Sequence, residues 1–298
     1  MPAYNNVIVF GATGAVGSAA ALRAHKDGAK VSLAVRDPSK PTPQLDGIPA
    51  EKVQADLTQP ETVKVAVHQT GAKAAFIYAV WGAPDHMRPA LRALKEAGIE
   101  FVVFLSSFSI ETDIRAVPSD DFIPLHHAEV EIALEEVFGN DFVAIRPAYF
   151  ASNIFQQKHA IAQGEVKLPN PDAPFDWISP DDIGDVSGAI LVSGQRVRSV
   201  GLLGPEKLSL KDAVGVVASV LGKKIDVTKI SEEEASAQLV QNGLPPPLVN
   251  WLIRNVVDRP GSFFSHHDAS NAVGNIQKYS QHAPQRFQEW VEANKDKF

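Results

Sequence analysis

The sequence has no cysteine among its 298 residues and only two methionines. Disulfides, thiol catalysis and zinc–cysteine sites are therefore excluded. Cations are also sparse: 28 Lys and Arg stand against 35 Asp and Glu, for a formal charge of −7. No Lys/Arg-dense stripe supplies the clustered charge that phosphate neutralisation needs, so no nucleic-acid partner is expected. Long apolar runs are missing too. Val7 to Phe10 is far too short for a signal core or membrane span and no basic segment precedes it. The expectation is a cytoplasmic protein with no membrane contact. With 45% apolar residues the chain can still bury one large core, or a main domain with a smaller lobe.

The most informative stretch that is present runs Val7-Ile8-Val9-Phe10-Gly11-Ala12-Thr13-Gly14-Ala15-Val16-Gly17. An apolar strand feeds a Gly-x-x-Gly-x-x-Gly turn, which opens an alanine-rich helical segment from Ser18 to Asp27. Gly11 permits the sharp exit from the strand, Gly14 lets the backbone approach a pyrophosphate, and Gly17 lets the helix pack closely on the sheet. The phosphates of a dinucleotide are then expected at the helix N-terminus, against Thr13, Ala15 and Val16. Nineteen residues past Gly17, where an NAD site wants a carboxylate for the ribose hydroxyl, stands Arg36. An arginine there suits a 2′-phosphate, so NADP is the expected cofactor, with Lys40 as a second cation for the same group. Asp37 follows at once, but Asp37-Pro38-Ser39 also reads as a plain turn.

Strand and helix patterns then alternate as in a doubly wound α/β sheet. Strands are expected at 30–35, 52–56, 74–80, 100–105 and 142–145, the last completing the sheet, with helices at 58–69, 85–97 and 125–138. After Arg146-Pro147 prolines punctuate short elements, and Ser179-Pro180-Asp181-Asp182 reads as a capped helix start. The fold class is α/β, a Rossmann-like doubly wound parallel sheet in residues 1–150 that binds the nucleotide. Residues 151–298 form a smaller C-terminal α/β lobe for substrate or partner, with return of some elements to the main sheet left open.

Together, Phe10 to Gly17, Val35-Arg36-Asp37, Ala55-Asp56-Leu57, Phe104 to Phe108, Val130-Glu131 and the segment Ile145-Arg146-Pro147-Ala148-Tyr149-Phe150-Ala151-Ser152-Asn153 resemble the NmrA-like group of atypical short-chain dehydrogenases/reductases, near isoflavone-reductase-like proteins. The resemblance covers nearly the whole chain. It implies NAD(P) in the switch-point crevice, and a group divided between reductases and nucleotide-sensing regulators. By that likeness Asp56 and Leu57 flank the adenine, although Asp56 is equally able to cap the next turn. Tyr78, Ala79, Val80 and Trp81 pass the ribose and nicotinamide, with Trp81 a pocket wall or a core or interface indole. Ser106 and Ser107 leave the fifth strand where relatives polarise a substrate carbonyl, followed by Phe108. Tyr149, Phe150 and Asn153 lie near nicotinamide and substrate. Trp177 is a further wall candidate, as are Phe175, Trp251, Phe263 and Phe264, with core filling the plainer reading for each.

Catalysis is where the chain departs from the wider superfamily. No tyrosine is followed four residues later by lysine: Tyr4, Tyr78, Tyr149 and Tyr279 meet Ile8, Gly82, Asn153 and Ala283. His127 falls where relatives often place that lysine, and it is the leading acid/base candidate beside Tyr149 and Ser107. Its alternative is one structural hydrogen bond. Neither His126-His127 nor His266-His267 has the spacing that converges two imidazoles, so no metal is expected. Three functions fit these residues. The first is reduction by NADPH of a small apolar or aromatic carbonyl, enone or imine. The second is a non-catalytic NADP(H) sensor acting on a protein partner, and the third is lyase, isomerase or cyclase chemistry on the same fold.

Overall fold

The computed structural model describes residues 2–298. The buried apolar runs of the N-terminal half form strands, and the alanine-rich or amphipathic segments between them form helices that return the chain to the same sheet edge. In order these are β1 (Asn6–Phe10), α1 (Ala15–Lys26), β2 (Lys30–Val35), β3 (Glu51–Gln54), α2 (Pro60–Thr70), β4 (Ala74–Tyr78), α3 (Arg88–Glu96), β5 (Phe101–Leu105), α4 (Phe122–Phe138) and β6 (Phe142–Pro147). The second half contributes α5 (Lys158–Gln163), β7 (Glu165–Leu168), β8 (Pro174–Phe175), α6 (Pro180–Ser193), β9 (Ser199–Leu202), β10 (Leu208–Ser209), α7 (Leu210–Leu221), β11 (Asp226–Lys229), α8 (Glu232–Gln241), α9 (Pro246–Val257), α10 (Ala269–Ser280) and α11 (Phe287–Ala293).

The main sheet is parallel throughout, in the order β3-β2-β1-β4-β5-β6-β9. The order reverses between β1 and β4, and the crevice beyond their carboxyl ends is where a doubly wound sheet takes its ligand. The expectation that the sheet closes with β6 is overturned. β9, from the second half, pairs Ala144 to Pro147 with Ser199 to Leu202 as a seventh strand. Its run Ser199-Val200-Gly201-Leu202 is short and holds a glycine, which hid it from hydrophobic patterning.

One face of the sheet is covered by α1 and α6, which lie unusually close. A Cβ on Gly188 would stand 2.8 Å from the Arg23 Cβ, and one on Gly184 would collide with the Ala19 Cβ. The alanines of α1 and these two glycines let the backbones approach, and Ser179 caps α6 by accepting from the Asp181 N–H at 3.1 Å, as its sequence predicts. A buried Arg23 closes the interface, bonding Asp27 at 2.7 Å, Asp185 at 3.2 Å and the Ser280 carbonyl at 2.9 Å. The other face is covered by α2, α3 and α4, and α10 packs beside α6 on β9. The remaining elements of the second half form a lobe over the carboxyl edge, around a core of Trp177, Phe287 and Trp290. Within it α8 and α9 are thinly buried: Ala235 and Val249 are their only fully buried residues.

Candidate active site

Two adjoining hollows occupy the crevice. The first, of about 390 Å³, lies on the glycine turn and is lined by Gly11, Thr13, Gly14, Ala15, Val16 and Gly17, with Tyr78, Phe150 and Ser152 opposite. Each glycine now has a physical reason. Gly11 is left-handed at φ +70°, and a Cβ there would meet the Tyr78 ring at 2.8 Å. A Cβ on Gly17 would run into the Gly11 carbonyl. Gly14 differs: its φ of −87° and ψ of 162° suit any residue, and a Cβ would touch only the Gly11 oxygen, at 3.4 Å. The fold does not require glycine at 14. Its missing side chain leaves room for something outside the chain, beside a helix N-terminus that no side chain caps. The hollow therefore fits a pyrophosphate.

At the adenosine end, Arg36 is exposed and Asp37 is turned away, its carboxylate accepting from the Ser39 hydroxyl at 2.6 Å and the Ser39 N–H at 3.0 Å. The plain-turn reading of Asp37-Pro38-Ser39 holds, and it leaves Arg36 as the polar group at the end of β2. Lys40 is exposed on the same loop, its carbonyl accepting from Lys52 at 2.7 Å. Asp56 caps its own turn through one oxygen, Oδ1, to the Thr58 N–H (2.9 Å) and hydroxyl (2.8 Å). Leu57 is buried beside it.

The second hollow is larger, about 600 Å³, and meets the first at Tyr78, Leu105 and Phe150. It brings together Ala79, Trp81, Ser106, Ser107, His127, Tyr149 and Asn153, which the sequence had placed at three strand ends and on one helix. Its far wall is Leu244, Leu248, Trp251 and Val256 of the α8–α9 segment, with Phe175 and Phe263. Val80 lies beside it, its N–H against the Met87 sulfur at 3.4 Å. Two wall candidates are corrected. Phe108 is buried under β9, where its ring fills the space a Gly201 side chain would need, and stacks edge-on with His266 at 4.8 Å. Trp177 is 1% exposed and sits behind Tyr149, its indole N–H bonded to the Leu208 carbonyl at 3.0 Å. Phe108 alternates with Ser107 and Ser109, which do face the cavity, and Trp177 has a left-handed backbone; the pattern of residue types reveals neither. Phe264 likewise packs with Phe263 outside the cavity lining.

His127 lies in the second turn of α4, which starts three residues earlier than Leu125. Its Nδ1 stands 2.9 Å from the Ile123 carbonyl. A carbonyl only accepts, so Nδ1 carries the hydrogen and Nε2 is the bare acceptor. Burial, with the Arg146 guanidinium adding to it, pushes the imidazole down to about 4. His127 is thus neutral near pH 7, able to accept a hydroxyl hydrogen but not to deliver a proton. Its neighbour His126 is pushed equally low by burial and stacks on Trp81 at 4.0 Å. Tyr149 contrasts with both. Burial raises its phenol well above the ordinary range, so its O–H stays intact, and no described side chain bonds it.

The serines are more committed than their positions suggest. Ser106 donates to Glu131 at 2.6 Å, and that fully buried carboxylate is held by Arg146 at 2.9 and 2.6 Å. Arg146 of the Arg-Pro segment is therefore a strut between β6 and α4. Ser107 shares a 2.7 Å bond with Ser109 and keeps its place on the cavity wall. Tyr78, expected beside the ribose and nicotinamide, lines both hollows, whereas sequence reasoning missed Ser152 in the groove and Leu248 in the wall. Among the described residues His266, His267 and Asp268 offer ligand atoms within 4.8 Å of one another, but His267 Nε2 lies 3.2 Å from the Asp268 carboxylate and both are exposed. No helix of the described residues is long and apolar enough to cross a membrane.

Comparison with known proteins agrees with this architecture. The NmrA-like family model matches residues 4–273. The nitrogen metabolite regulation-like protein bik4 of Gibberella fujikuroi is 36% identical, over 97% of this chain and 96% of its own. Among solved structures, the NADPH-dependent quinone oxidoreductase of Escherichia coli in complex with NADPH superposes with a TM-score of 0.75 at 20% identity, over 96% of this chain and 99% of its own. NmrA, a negative transcriptional regulator, in complex with NADP gives 0.71 at 16% identity, over 97% and 94%. With its glycine turn, its seven-stranded parallel sheet and its Arg146 to Asn153 segment all in place, the chain belongs to the NmrA-like family.

Proposed function

We propose that the protein is an NADPH-dependent oxidoreductase that reduces a small apolar or aromatic carbonyl, enone or imine. The observation that carries this reading is continuity: the groove on the glycine turn opens into a largely apolar cavity through Tyr78, Leu105 and Phe150. Gly14 and the first amides of α1 hold the pyrophosphate, and Arg36 takes the 2′-phosphate. Bound NADPH supplies a hydride from its nicotinamide to the substrate carbon. His127 accepts a ribose hydroxyl at Nε2. Tyr149 donates its O–H to the substrate oxygen and releases the proton as negative charge develops there, to be restored from solvent. The apolar wall from α9 keeps water from the reacting atoms.

The test is an NADPH-oxidation screen over aldehydes, quinones, enones and imines. On any substrate found, Tyr149→Phe should lower kcat by roughly 10²-fold with NADPH affinity little changed. The rate should show no limb from His127 near pH 6.5, because that imidazole is already neutral there. A second reading is favoured by the 36% identity to a regulation-like protein: NADP(H) occupancy alters a surface that binds a protein partner. Tight NADPH binding with no turnover on any substrate class supports that reading and removes the first.

A further inference from the structure

Phe175-Asp176-Trp177 surrounds Tyr149. The ring centroids of Phe175 and Trp177 lie 4.0 and 5.1 Å from that of Tyr149. Between them the Asp176 carboxylate, fully buried, accepts from the Tyr149 N–H through Oδ1 and from the Gly204 N–H through Oδ2, both at 2.8 Å. The backbone repeats the link: Ile178 N–H donates to the Tyr149 carbonyl at 2.9 Å, and Ala151 N–H to the Ile178 carbonyl at 2.8 Å. Trp177 holds a left-handed φ of +48°, a strained state for a bulky residue, tied down by its indole bond to Leu208. Gly204 fits so tightly that a Cβ there would strike the Asp176 carbonyl. A buried carboxylate without a cation is costly and needs a reason.

We propose that Asp176 is the positioning residue of Tyr149: by holding the Tyr149 and Gly204 amides together it fixes where the phenol stands on the cavity wall. This deepens the reading in which Tyr149 donates to the substrate, and rests on it for its kinetic consequence. Ionised, the carboxylate accepts from both amides. Protonated, one oxygen becomes a hydroxyl, a much weaker acceptor, and the bond to its amide loosens. Burial pushes this carboxyl up to about 7 against the pull of the Gly204 and Tyr149 amides and of its own backbone N–H, so the clamp tightens as pH rises through neutrality. The other charged groups nearby face elsewhere. Glu206 binds Arg286 and the Phe287 N–H, while Asp182 of α6 accepts from the Gln285 N–H and lies 3.9 Å from His282. Asp181 on the same helix has its own N–H on Ser179.

The experiment labels the protein with 3-fluorotyrosine and assigns the Tyr149 fluorine resonance by its loss in Tyr149→Phe. Across about pH 5.5 to 8.5 the resonance should shift with a midpoint near 7 in the parent and not in Asp176→Asn. A resonance that does not move in the parent overturns the proposal, even where Asp176→Asn fails to fold; a midpoint unchanged in a folded Asp176→Asn overturns it too. On a reducible substrate Asp176→Asn should lower kcat about tenfold and leave KM and NADPH affinity within about twofold, since a displaced acid costs turnover before binding. Parental kcat and an unchanged pH profile in the folded variant make Asp176 merely structural. The fluorine titration needs no substrate, so it stands or falls separately from the oxidoreductase reading.

Discussion

The floor and the roof of the crevice are built to different standards. The floor is β1, the glycine turn, α1 and α6, whose sheet-facing side chains are buried and whose helices touch through Ala19, Ala20, Gly184 and Gly188. The roof is α8 and α9, where Ala235 and Val249 alone are fully buried, and it is fastened to the N-terminus of α4 mainly by polar contacts to Asp120 and Asp121. Tight apolar packing gives the floor the full stability of the fold, whereas a thinly buried pair of helices opens at much smaller cost. A groove for a common dinucleotide sits on the rigid side. The larger cavity borrows its far wall, Leu244 to Val256, from the loose side.

The largest expected effect separates two glycines of the floor. Gly14→Val should leave the circular dichroism spectrum unchanged and reduce NADPH affinity by roughly 10²-fold or more, because the branched side chain fills the groove and nothing else. Gly17→Ala should instead destabilise the fold by about 1–3 kcal/mol, since its Cβ meets the Gly11 carbonyl. Nucleotide titration beside denaturant unfolding reads both. A destabilised Gly14→Val or an untroubled Gly17→Ala would break the distinction between a glycine kept for the ligand and one kept for packing.

Next in size is Arg36, at the edge of the floor. Arg36→Ala should remove most of a preference for NADP(H) over NAD(H), about 2 kcal/mol for a charge-assisted phosphate contact. Calorimetric titration of both cofactors checks it; equal affinities in the parent, or a preference that survives the substitution, remove Arg36 from that role.

Legibility in the sequence divides along the same line. The strand, glycine turn and helix of the floor follow from local rules: a short apolar run, residues that need φ above zero, and an alanine-rich helix. Local rules also found Ser179 as a cap and brought Tyr149, His127, Ser107 and Trp81 to one edge, because every strand of a doubly wound sheet ends on the same side. What they lacked was direction and distance. Phe108 is one residue and Trp177 two residues away from positions that face the cavity, and a left-handed backbone at Trp177 accompanies an indole buried in the core. β9 is a four-residue strand containing glycine, paired with a partner more than fifty residues earlier. The neutral state of His127 depends on burial and on the nearby Arg146 guanidinium, and its tautomer on a carbonyl one turn back, none of which residue type encodes. Asp176 carried no signal at all, since its partners are backbone amides.

The smallest effect is expected at the fastening of the roof. Asp121 Oδ1 accepts from the Trp251 indole at 2.8 Å and the Arg254 guanidinium at 2.9 Å, and Arg259 lies at 3.9 Å. Arg254 keeps a longer bond to Asp120 at 3.4 Å, while its Nε is buried without a partner. Asp121→Ala therefore strips the acceptor from an indole and a half-buried cation at once, a loss of about 1–2 kcal/mol if it fell on a cooperative core. Here it should fall on α9 alone, because so little of α9 is buried that the helix can loosen without the sheet. Hydrogen exchange should speed up in residues 244–259 and stay unchanged in α1 and α6, NADPH affinity should hold within about twofold, and KM for any reducible substrate should rise a few-fold. Salt should mimic the variant weakly, since these partly exposed ion pairs are screened. Faster exchange spreading into α1 or α6 would mean that floor and roof are one cooperative unit. No change in α9 would mean that its apolar contacts with Phe263 and the cavity wall, not Asp121, hold the roof in place.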